Sequence, residues 1–72
     1  MNEIDRFHNE IWPPLCREFA IAKDEFYHWE GVLNQNPVPT AEILNAHTLA
    51  QARLNDVMQR MDEACEEFAT LL

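Results

Sequence analysis

The chain has 72 residues, with 13 Asp and Glu against 5 Lys and Arg, a formal net charge of −8 and 47% apolar residues. So short a chain holds one small core, which excludes several domains and argues against a self-contained enzyme with a deep pocket. The acidic balance argues against direct nucleic-acid binding, which needs clustered Lys and Arg to displace counterions from phosphates.

The first predicted element is an N-terminal amphipathic arm over residues 2–12, with Ile4, Phe7, Ile11 and Trp12 on its apolar side and Asn2 as its cap. The start, Met1-Asn2-Glu3-Ile4-Asp5-Arg6, is acidic and mixed, unlike the charged start and apolar run of a signal peptide. Trp12-Pro13-Pro14 follows. Consecutive prolines bias the residues before them away from helical geometry, so a break or sharp kink is expected here.

The first long helix is expected over about 14–33. Leu15, Phe19, Ala22, Phe26, Trp29 and Leu33 alternate steps of four and three residues, the spacing of one helical seam. Gly31 leaves two paths open: a left-handed cap that ends the helix, or a helix that passes through to Leu33. Asn34-Gln35-Asn36-Pro37-Val38-Pro39 marks a turn over 34–39.

A second helix is expected over about 40–71, with Thr40 as its cap and Glu42 well placed in its first turn. Ile43, His47, Ala50, Leu54, Val57, Met61, Ala64, Phe68 and Leu71 keep the same alternation, and Leu44, Met58, Cys65 and Leu72 widen the stripe on one side. A stripe wider than one seam suits a bundle better than a two-stranded coiled coil. The fold class is therefore all-α: one antiparallel helical hairpin with a short amphipathic arm. The second helix is longer and wider than the first can cover, which predicts a homodimeric bundle of four-helix type. Its seam is expected to be carried by Phe19, Phe26, Trp29, His47, Leu54, Met61 and Phe68. The arm covers the end of the second helix from the same chain or from the other copy.

Cys16 and Cys65 lie at different heights in such a hairpin, about 12 Å apart along the axis. That exceeds the reach of a disulfide, and two free, half-buried thiols point to a reducing, cytoplasmic setting. No apolar run approaches the roughly 20 residues of a membrane span.

Glu25-Phe26-Tyr27-His28 has the Glu-x-x-His spacing of di-metal carboxylate bundles. Phe26 and Trp29 occupy the seam, however, which leaves Glu25 on the flank and His28 outside, so neither metal nor cofactor is expected. Catalysis finds little support: the only serine-type hydroxyls are Thr40, Thr48 and Thr70, a single glycine rules out a phosphate-cradling loop, and acidic neighbours would disfavour a thiolate in a Cys65–His8 pair. His47 is the polar member of the seam. Such a residue can fix register, and protonation there would charge the core; the plainer reading, which comes first, is a neutral imidazole with one hydrogen-bonded nitrogen.

Two groups are candidates for binding a partner. One is the off-seam apolar set Trp12, Ile21, Tyr27 and Leu49, since aromatic residues on a surface supply interface hot spots. The other is the acidic cluster Asp62, Glu63, Glu66 and Glu67 in the last turns, where negative charge opposes the helix dipole. Glu3, Asp5 and Glu10 fall at the same end.

Trp29-Glu30-Gly31 between two helices is similar to the Trp-x-Gly turn of small secreted helical-hairpin proteins exported by specialised secretion systems. No Tyr-x-x-x-Asp/Glu export signal follows the second helix, and Trp29 is required by the seam in any case. The expected function is a non-enzymatic protein-binding module, a small regulator or inhibitor of anti-activator or adaptor type, of a build suited to a phage. It would bind an unidentified protein as well as itself, with no direct nucleic-acid or membrane contact. The alternatives are an acidic nucleic-acid mimic that blocks a DNA- or RNA-binding protein, and a structural assembly subunit or secretion-type chaperone.

Overall fold

The computed structural model describes residues 2–72. Helix α1 (Glu3–Arg6), a π-helical turn (Phe7–Ile11) and helix α2 (Trp12–Gln35) run on as one rod, and helix α3 (Ala41–Thr70) returns beside it. The pairing is antiparallel: Phe7 near the start meets Phe68 near the end, and Phe26 meets His47. Among the described residues there is no strand.

Capping at both helix starts follows the expected chemistry. Asn2 Oδ1 accepts from the Asp5 N–H at 2.8 Å and Thr40 Oγ1 from the Ile43 N–H at 3.2 Å, each satisfying a donor that lacks a helical partner. Gly31 lies inside α2 without positive φ, so the helix passes through it to Gln35. It ends at Asn36, in extended geometry, whose Nδ2 donates to the Val32 carbonyl at 2.6 Å.

The expected break at Trp12-Pro13 does not occur. Pro13 and Pro14 sit in the first turn of α2, where a missing N–H is tolerated, and the turn before them widens. The Trp12 N–H donates to the carbonyl of Phe7, five residues back rather than four. In an α-helix each proline ring would press on the carbonyl four residues earlier, at Asn9 and Glu10; the wider turn relieves that contact. Both residues are exposed. The arm is thus an extension of the first helix and covers the end of α3 within the same chain.

The fully buried set is small: Phe7, Ala22, Ala50, Val57 and Ala64. Phe19, Phe26, Trp29, His47, Leu54, Met61 and Phe68, the residues named for the seam, are only half-buried. The molecule measures 53 × 16 × 14 Å, only two helices in cross-section, and no large side chain is fully enclosed. Cys16 is half-buried, but Cys65, expected to be so too, is exposed on the flank of α3; both thiols are free.

Candidate functional site

The seam has an uneven build. Small residues (Ala22, Ala50, Val57, Ala64) hold the helices close on one side, whereas large ones (Phe19, Phe26, Leu54, Met61) fill the other and spill outward. The hairpin therefore has two different flanks.

On the small-residue side, the helices are laced by charge. Arg60 reaches Glu18 at 2.7 Å and Asp56 at 3.1 Å, and Arg53 reaches Glu25 at 2.8 Å. These pairs are largely solvated, so each contributes at most about 1 kcal/mol; the consequence of Arg60–Glu18 and Arg53–Glu25 is register, since they hold two turns of α2 against two of α3. A groove of about 300 Å³ lies over them, floored by Ala22 and Val57 and rimmed by Ile21. Ile21 is 68% exposed, unusual for an isoleucine beside three carboxylates and two guanidinium groups. By helical position, Leu49 (52% exposed) belongs to this same side.

On the large-residue side, Tyr27, Leu44 and Met58 are exposed, and Tyr27 meets Phe26 edge-on at 5.7 Å between ring centroids. Phe26 in turn lies 5.2 Å from the His47 ring. The imidazole Nε2 is buried without a hydrogen-bond partner, an unmet cost inside an apolar layer. The off-seam apolar candidates thus divide between two surfaces, Ile21 and Leu49 on one, Tyr27 on the other.

Trp12 belongs to neither flank. It is half-buried at the open end of the hairpin and stacks on Phe7 at 5.6 Å; Phe7 stacks on Phe68 at 4.3 Å, with His8 edge-on to both Phe7 and Phe68. Around this aromatic plug lie the acidic residues. Asp62, Glu63, Glu66 and Glu67 are all exposed, and Glu3 and Glu67 line one cavity of about 280 Å³ with Arg6 between the helices. Arg6 also pairs with Glu10 at 3.5 Å.

Glu25 is engaged by Arg53, and His28 is exposed with its ring edge-on to Trp29 at 5.1 Å. Among the described residues, no group of three or more His, Cys, Asp or Glu side chains is placed to hold a metal ion. No helix among them is long and apolar enough to cross a membrane. Arg53 and Arg60, as the partners of Glu25 and Glu18 across the helices, are the structural residues that sequence reasoning passed over. The arginines were findable, since each lies one position before a seam residue, at 54 and 61, where antiparallel helices exchange charges. No protein-family model, curated protein or solved structure matches the chain.

Proposed function

We propose that this chain is a non-enzymatic protein-binding module that acts as a homodimeric helical bundle, regulating or inhibiting a partner by occupying its surface. The observation that carries this reading is where the large apolar side chains lie. Ile4, Ile21, Tyr27, Leu44, Leu49 and Met58 are all exposed, in a molecule whose interior is mostly alanine and valine. A monomer gains nothing from that arrangement, whereas apolar groups beside charged ones are what an interface core and its polar rim require. Burial of one flank in the dimer leaves the other, with Ile21 and Leu49 beside the ion pairs, for the partner.

An acidic mimic of nucleic acid is the second reading. It is favoured by the gathering of Glu3, Glu10, Glu63 and Glu67 around the open end, which the continuous first helix brings about.

One capture experiment in cells of the source organism separates these readings. A partner retained by the wild type and lost on Ile21→Ala with Leu49→Ala supports the flank. Loss only on Glu63→Lys with Glu67→Lys, together with dissociation in added salt, selects the mimic. Sedimentation equilibrium at micromolar concentration is expected to give a dimer, and a persistent monomer overturns the bundle.

A further inference from the structure

Beside the seam, α3 carries a second stripe of the same period. Its apolar members are Ala41, Leu44, Met58, Cys65, Ala69 and Leu72, interleaved with Thr48, Gln51, Asn55 and Asp62. From 41 to 72 the steps are three and four residues in strict alternation, so the stripe winds beside the seam along the whole helix. Every member is exposed. Asp62 is its single charge, while the other seven charged residues between 41 and 72 lie off it. A helix face meant for water would carry its share of charge.

The area agrees. The molecule exposes 5369 Å², against about 4,700 Å² for a folded monomer of its mass. The excess, roughly 700 Å², belongs to the elongated two-helix shape, and a second copy that buries the ~800 Å² of a standard interface would remove it.

We infer that this stripe is the face on which a second copy of the chain docks, and that the two α3 helices cross it antiparallel, with Thr48 opposite the partner's Cys65. The inference rests on the dimer proposed above and gives its face and register. Turned end for end, the stripe matches itself, as a two-fold interface demands. Ala41 meets the partner's Leu72, and Leu44 meets the partner's Ala69, a large residue against a small one each time, which close packing favours. Gln51 meets the partner's Asp62, so the one carboxylate faces an amide able to donate to it. A parallel pairing would set Asp62 against its own copy and bring both acidic last turns together. Antiparallel pairing carries each acidic end to the first turn of the partner's α3, the positive end of that helix dipole. Glu42 in that turn is directed away from the stripe. The same docking covers the half-buried Leu54 and Met61 and leaves the flank with Ile21 and Leu49 open.

Disulfide trapping in a Cys16→Ser background tests the register, with the mass of the unlinked protein measured alongside. Thr48→Cys, oxidised with glutathione disulfide, is expected to give a covalent dimer linked 48 to 65 in most of the protein. Two controls should give none: the Cys16→Ser background itself, which keeps only Cys65, and Thr48→Cys combined with Cys65→Ser. In each, the remaining thiol lies about 25 Å from its own copy, far beyond the ~7 Å limit. A dimer by mass that links through Cys65 alone, or not at all with Thr48→Cys, overturns the register and leaves the dimer standing. A monomer by mass overturns both. Met58→Glu is expected to weaken association at least tenfold while Leu49→Glu leaves it unchanged, and the reverse result places the interface on the other flank.

Discussion

Gly31 costs the first helix stability and returns no packing. It is helical, its φ is negative, and nothing lies within 4 Å of the position a Cβ would take. Gly31→Ala is therefore expected to stabilise the fold by roughly 0.5–1 kcal/mol, through the entropy that the unfolded chain gives up. Thermal denaturation should show a rise of several degrees, about 4–8 °C per kcal/mol for a domain of this size. A fall would mean that the glycine is needed for close approach by another chain. The sequence left Gly31 open because a left-handed cap and a helical glycine share one residue type. The deciding residue is Leu33, which the seam requires and a helix ending at Gly31 would have turned away. His47 was legible as the polar seam residue, but not that its Nε2 would lack a partner, since that depends on Phe26 lying across the ring.

The π-helical turn explains how the arm stays on the seam. Phe7 and Phe19 are twelve residues apart, and at about 100° per residue a regular α-helix would carry Phe7 about 120° away from the seam. Absorbing one extra residue reduces the error to about 20° and sets the Phe7 ring on Phe68 at 4.3 Å, with the side chain buried. Deleting Asn9, together with Pro13→Ala and Pro14→Ala, should therefore give an unbroken α-helix that keeps Phe7 in place. Its melting temperature should equal or exceed that of the parent, whereas Phe7→Ala is expected to cost about 3 kcal/mol or more. If the deletion is as damaging as Phe7→Ala, the turn is not what sets the register. α3, its Thr40 cap and its seam could be read from the sequence because one period governs the helix from end to end. The arm's continuity with the first helix could not, because two prolines signal a stop unless the rotation between Phe7 and Phe19 is counted.

For the whole molecule, charge and shape act against each other. A rod of 53 × 16 × 14 Å built from two helices leaves several large apolar side chains exposed, and the dimer proposed above would cover them with a second chain that also carries a net charge of −8. Two such copies repel, most strongly wherever their acidic ends approach, and the stripe proposed for docking offers one carboxylate and no cation in return. The ion pairs of Arg53 and Arg60 are spent within the chain. Added salt should then tighten self-association, because screening at a Debye length falling from about 10 Å at 0.1 M to about 3 Å at 1 M removes repulsion and leaves apolar burial untouched. Sedimentation equilibrium across that range is expected to show a falling dissociation constant. A dimer that loosens with salt would instead be held by charges between chains, and the interface would have to bring in cations from outside the stripe. A complex of the acidic end with a basic partner should respond in the opposite sense, so the same titration separates self-association from capture of a nucleic-acid-binding protein.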